Sequence, residues 1–221
     1  MQETYKFSHA PGVGEIIEKK SRFIATVAPV KTEEDALKFI EGCRKQYWDA
    51  SHNCTAFTIG SRHQLTRCSD DGEPAGTAGR PMLDVLLGED IHDTAVVVTR
   101  YFGGTLLGTG GLVRAYSKAV QEGLRQAIIL KKHKGTRLRI HTDYNDFGKV
   151  QYLLGLDKIP ILSSAYTDSV SLEILVPCAA LSGLMRSLTD GTGGRAELEP
   201  GDTCWYAVSN EEILLFEEDE A

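Results

Sequence analysis

The stretch "RYFGGTLLGTGGLVRAYSKAV", Arg100 to Val120, decides how this chain is read. It continues the run "TAVVVT", 94–99, whose unbroken apolar, β-branched character predicts a strand covered on both faces. Five glycines follow: Gly103, Gly104, Gly108, Gly110 and Gly111. Leu112, Tyr116, Ala119, Val120, Gly123, Leu124, Ala127 and Ile128 then recur at helical spacing, with Arg114, Lys118, Gln121 and Arg125 on another side. Glycine loses more backbone freedom on folding than any other residue, so such a loop implies a sharp turn or a close approach. The loop fits neither common phosphate template. Val113 stands where a dinucleotide fingerprint needs glycine, and no Gly-Lys-Ser/Thr follows. A loop that leads into a helix start still offers unpaired amides to an anion. Tight packing of a neighbouring segment explains the glycines equally well, and the two readings stand level.

Upstream, "SRFIATVAPV", 21–30, reads as a strand, and Thr32 caps a helix with Glu33, Glu34 and Asp35 in its first turn. "CTAFTIG", 54–60, reads as a strand, "RCSDDGEPAGTAG", 67–79, as a loop, and "RPMLDVLLG", 80–88, as a short buried helix with Pro81 in its first turn. Downstream, "KKHKG", 131–135, is polar, basic and glycine-ended. It divides the chain into expected domains 1–131 and 135–221. Alternation then restarts, with Leu138, Ile140 and Thr142 on one face and Arg137, Arg139 and His141 on the other. A helix near 147–155, strands near 165 and over 170–176, a helix after Pro177 and terminal strands complete a β-α-β-β-α-β order, the ferredoxin-like pattern. The expected class is α+β.

The chain has 221 residues, 42% hydrophobic and 25% charged, ordinary for a globular protein. No run of 18 apolar residues and no charged-then-apolar leader occurs, so no transmembrane span and no signal peptide are expected. Five cysteines without Cys-x-x-Cys spacing predict reduced thiols and a cytosolic location. The net charge of −7 is concentrated late, in "EEILLFEEDEA", 211–221, which argues against a generic duplex-DNA binder.

Four groups of residues could carry chemistry. The glycine loop is flanked by Arg100 and Arg114. Asp70, Asp71 and Glu73 crowd three carboxylates into "SDDGEPAGTAGRP", where turn formation competes with a shared metal or a proton carrier. Thr77, Gly79 and Arg80 form a second helix start suited to an anion. His52 and Cys54, two apart, point to one face of a strand, as a nucleophile with its base or, with Cys68, as zinc ligands. The simpler reading, a partly buried pair at a strand start, is preferred. The basic set Lys19, Lys20, Arg22, Arg80, Arg100, Arg114 and Lys118 is otherwise a solvated face. No cofactor and no metal is expected.

"SDDGEPAGTAGRPML" followed by "VVVTRYFGGTLLGTGGLVRAYSKAV", with "EKKSRFIA" and "DASHNCTAF", closely resembles the IMPACT/YigZ family. The resemblance implies an N-terminal domain with the fold shared by GHMP kinases and a ribosomal-protein domain, and a C-terminal domain similar to the fifth domain of elongation factor G. It implies binding to RNA or ribosomes by bacterial members and no established catalytic residues. Eukaryotic members bind a translational activator through a context these 221 residues do not show, so that role is not carried over. The motif positions it carries over are Arg22, His52, Cys54, Asp70, Asp71, Glu73, Arg80, Arg100, Tyr101, Gly103, Gly104, Gly110 and Arg114. Lys118 joins them by its place on the helix. The loop has Thr105 and Thr109 but no serine, unlike the triphosphate loop of GHMP kinases, so ATP is not expected. The leading expectation is a cytosolic RNA- or ribosome-associated modulator of translation. An enzyme acting on a small phosphorylated or carboxylated molecule and a protein-interaction module stay open beside it.

Overall fold

The computed structural model describes residues 4–209 and 212–216. The chain divides into two compact units, Thr4–Lys131 and a second that starts at Lys132.

The first unit is built on an antiparallel sheet. Its strands are β2 (Gly12–Glu18), β3 (Ser21–Pro29), β4 (His52–Ile59), β5 (Leu65–Ser69) and β7 (Thr94–Tyr101), in the order β2-β3-β7-β4-β5. A short parallel pair, β1 (Thr4–Ala10) with β6 (Ile91–His92), lies outside that sheet. Helix α1 (Glu33–Gln46) covers one face: Ala36, Ile40 and Cys43 pack with Phe57, Ala95 and Val97. Helices α2 (Gly79–Gly88) and α3 (Thr109–Gln126) cover the other, where Met82, Leu86, Tyr116 and Val120 meet Phe23, Cys54, Val96 and Val98. Successive residues of β7 therefore face opposite cores, which is why its sequence is apolar without alternation. Thr32 caps α1 through a capping box with Asp35.

The second unit contains most of β8 (Ile128–Thr142), then α4 (Tyr144–Leu156), β9 (Ile161–Tyr166), β10 (Val170–Pro177), a 3-10 turn (Cys178–Ala180), α5 (Leu181–Thr192), β11 (Glu197–Ser209) and β12 (Glu212–Phe216). The strands run β12-β11-β8-β10-β9, all antiparallel. This is the split β-α-β arrangement with one added edge strand. Leu138, Ile140, Leu172 and Ile174 face Val150, Leu154, Leu184 and Leu188 of the two helices.

The structure corrects several expectations. Residues 131–135 are part of β8 rather than an exposed linker: Gly135, Lys134 and His133 pair with Cys204, Trp205 and Tyr206. Helix α3 stops at Gln126, so Ile128 begins a strand and is half exposed instead of closing the helical stripe. Leu65–Ser69, in part assigned to a loop, is a strand that hydrogen-bonds β4. Of the acidic terminus, 212–216 forms β12, and 211 and 217–221 lie outside the described residues. No helix among the described residues is long and apolar enough to cross a membrane.

Candidate functional site

Register places the site. Phe23 of β3, Arg100 of β7 and His52 of β4 stand side by side across the sheet. Their side chains share one face. Arg100 is 5% exposed, with its guanidinium carbon 5.4 Å from the Phe23 ring centre and 5.6 Å from that of Phe102. Its Nη1 donates to Glu73 Oε1 at 2.5 Å, and Glu73 is also buried. The same carboxylate oxygen accepts the Tyr116 hydroxyl at 2.7 Å. Arg100 Nη2 reaches Ser21 Oγ only at 3.5 Å, and Nε has no hydrogen-bond partner among the described residues. An arginine with five donors thus keeps binding capacity after its ion pair is made.

Burial of Cys54 pushes its thiol up to about 12, so it is not a thiolate nucleophile at neutral pH. The thiol has two acceptors in reach, the Asp70 carbonyl at 3.0 Å and the Tyr116 hydroxyl at 3.3 Å. Burial likewise raises Tyr116 well above the ordinary phenol range. His52 Nδ1 lies 2.9 Å from the Asp71 carbonyl. A carbonyl only accepts, so Nδ1 carries the proton, and in the neutral ring Nε2 is the lone-pair nitrogen. Nε2 stands 4.0 Å from Glu73 Oε2. His52, Cys54 and Cys68 do not converge as metal ligands, since Cys68 is exposed on β5 opposite Ala56.

A cavity of about 410 Å³ opens over this group. Arg100, His52 and Glu73 line it with Phe102, Leu106 and the α3 start at Gly108–Thr109. The glycine loop and the Asp70–Arg80 loop therefore lie side by side. Each glycine has its own reason. A Cβ on Gly103 would come within 2.1 Å of the Lys20 backbone, so this position is packing. Gly104 and Gly108 have φ of +81° and +72°, which side chains rarely adopt. Gly110 and Gly111 belong to the first turn of α3, which no side chain caps among the described residues. Beyond Leu107 and Gly111 a second depression of about 260 Å³ is lined by Lys19, Arg114, Lys118 and Glu18.

Other sequence candidates fall elsewhere. Arg22 and Tyr101 pair with each other in register, one residue off Phe23 and Arg100, and so occupy the opposite face. Arg22 is engaged by Glu15 at 2.7 and 2.8 Å, and Tyr101 donates to Asp49 at 2.9 Å. Arg80 pairs with Asp84 on the surface. The α2 start already holds its anion: Asp70 accepts the amides of Gly76, Ala78 and Gly79 at 2.8–3.0 Å. Burial works against the Asp70 charge, but the three amides outweigh it and hold the carboxyl below its ordinary range. Asp71 bonds Arg44 and the Asn53 amide. The three acids are thus spent on separate contacts rather than on a shared ion. Sequence reasoning missed Tyr116, Phe102 and Ser21. The signal for Tyr116 was a hydroxyl inside a buried stripe, which requires a partner.

Two family models match the chain: the Impact N-terminal domain over residues 19–124 and a domain of unknown function (DUF1949) over residues 140–195. The Bacillus subtilis IMPACT family member YvyE is 38% identical over 202 residues, 91% of this chain and 93% of that protein. The chain belongs to the IMPACT family. Another member, YigZ of Escherichia coli, is 40% identical over 182 residues, 81% of this chain and 89% of its own. Protein IMPACT-A of Xenopus tropicalis is 35% identical over 98 residues, 42% of this chain but 30% of that protein. A solved structure described as a crystal structure of an hypothetical protein is 38% identical with a TM-score of 0.58, over 90% of this chain and 97% of its own. Every residue that lines the cavity falls within the segment matched by the family's N-terminal domain.

Proposed function

We propose that this family member is a cytosolic protein that binds single-stranded RNA, on the ribosome or free, and modulates translation. The observation that carries the reading is the uncapped start of α3, set between Arg100 on one side and Lys19, Arg114 and Lys118 on the other. Free first-turn amides and the positive end of the helix favour a phosphate. Phe102 and Leu106 are exposed beside them, and an exposed aromatic ring gives an unpaired base a surface to stack on. The kinship with a ribosomal-protein domain and with elongation factor G that the resemblance implies fits a ribosomal target.

The test is fluorescence anisotropy of a labelled single-stranded RNA at several salt concentrations. Each neutralised phosphate contributes a log–log slope of about −0.7, so contacts from Lys19, Arg114 and Lys118 give a slope near −2. Arg114→Ala should weaken binding to all sequences alike and make the slope shallower by about 0.7. No binding by the wild type at low salt would refute the reading. One observation favours a second reading, an enzyme acting on a small phosphorylated or carboxylated molecule. His52 lines the cavity beside Arg100, and with Nδ1 tied to the Asp71 carbonyl its Nε2 lone pair is the base such an enzyme would use on a ligand held by Arg100. Under that reading His52→Gln abolishes turnover and leaves RNA affinity unchanged.

A further inference from the structure

We propose that His63, Asp90 and His92 bind one divalent transition-metal ion of the zinc class. The three offer ligand atoms that all lie within 4.8 Å of one another. They come from two segments: His63 from the turn between β4 and β5, and Asp90 with His92 from the turn after α2 and the strand β6 that follows it directly. His92 is fully buried, and its Nδ1 is 2.9 Å from the Gly60 carbonyl. That carbonyl can only accept, so Nδ1 carries the proton and Nε2 presents its lone pair. Nε2 faces Asp90 Oδ1 at 3.0 Å. A lone pair and a carboxylate at that distance call for a cation, either an ion or a second proton. Tying one imidazole nitrogen to a backbone carbonyl is also how proteins orient metal-binding histidines. His63 is held less strictly: Thr58 Oγ1 meets its Nδ1, a hydroxyl that can donate as well as accept and so leaves either ring nitrogen free to carry the lone pair, and its Nε2 lies 4.0 Å from the same Asp90 oxygen.

Ligands about 2.1 Å from a tetrahedral ion stand roughly 3.4 Å apart. The observed separations of 3.0 and 4.0 Å bracket that spacing. His63 and Asp90 have φ of +53° and +56°, a sparsely populated region for residues other than glycine. The backbone thus spends strain to bring both side chains over His92. The two rings are stacked 3.6 Å apart and 14° from parallel. An ion must lie near the plane of each ring, so loading turns His63 out of the stack while buried His92 stays fixed. Asp90, half exposed, opens the site to solvent. Two imidazoles and one carboxylate select zinc-like ions over magnesium or calcium and leave a coordination position for water. Thr58 and His52 stand at opposite ends of β4, so this site is independent of the cavity at Arg100.

The experiment titrates the full chain with Co²⁺ and follows its visible d–d absorption, then adds Zn²⁺. One Co²⁺ per chain, displaced by Zn²⁺, is expected. His63→Asn and Asp90→Asn both tolerate the left-handed backbone. Each should weaken Co²⁺ binding by about 10–100-fold or more, while His52→Gln retains it. Circular dichroism of the variants checks that they remain folded. Absence of saturable binding, which leaves a proton as the bridging cation, or binding that survives both substitutions overturns the proposal.

Discussion

Replacing Glu73 by Gln should move stability and anion affinity in opposite directions. Glutamine keeps an oxygen for Arg100 Nη1 and the Tyr116 hydroxyl, so the change removes a charge and little else. The side chains of Arg100 and Glu73 are 6% and 3% exposed, and no other carboxylate pairs with Arg100 among the described residues. Removing one member of a buried pair costs about 3–5 kcal/mol, because the remaining charge is left uncompensated. Arg100 lines the cavity, where water can reach part of it, so the lower end applies, about 3 kcal/mol. For a chain of this size that is a fall in melting temperature of roughly 6–12 °C. The freed guanidinium then becomes the net charge of the cavity, so phosphate should stabilise the variant more than the wild type through binding linkage. The assay is a pair of thermal melts for each protein, with and without inorganic phosphate. A variant as stable as the wild type would mean that the pair is already solvated. Lost stability without a larger phosphate effect would mean that Arg100 does not face a ligand site, and the reasoning fails.

Two further outcomes test the loop assignments. Gly103→Ala drives a methyl into the Lys20 backbone at 2.1 Å and should cost about 1–3 kcal/mol, whereas a Cβ on Gly110 meets only the Arg114 side chain at 3.6 Å, so Gly110→Ala should be neutral or stabilising; urea denaturation compares them. Asp70 has its folded pKa below its unfolded value, so its contribution is full above the unfolded value near 3.8 and is lost as pH falls through the folded one. Asp70→Asn should therefore lower stability at neutral pH and flatten the acid limb of the stability–pH curve, and an unchanged acid limb would remove Asp70 from its capping role.

The sequence by itself determined the elements whose cause is local. The unbroken apolar run of β7 reported a strand between two layers, and the alternation from Leu138 to Thr142 reported a sheet with one dry face. The glycines before Leu112 located a helix start. The motif grouped Tyr101 with Arg100, although neighbours on a strand face opposite ways and the register puts Tyr101 on the other side of the sheet. What it could not tell is which of those faces holds Glu73, since that depends on a loop folding back from residues 27 positions away. Strand β2 went unread for a related reason. Gly12 and Gly14 look like breakers, yet a Cβ there would strike the backbone of Ala127 just past α3 at 2.3 Å and of Glu122 within it at 2.5 Å, contacts made only after the helix docks. Residues 131–135 looked like a linker because their polar pattern is local, while their pairing with β11 spans about seventy positions. The α2 start looked ready for an external anion because its occupant, Asp70, stands eight or nine residues upstream. Periodicity and turn chemistry act over a few residues and survive in one dimension; ion pairs, caps from a distance and strand partners are fixed only when the chain closes on itself.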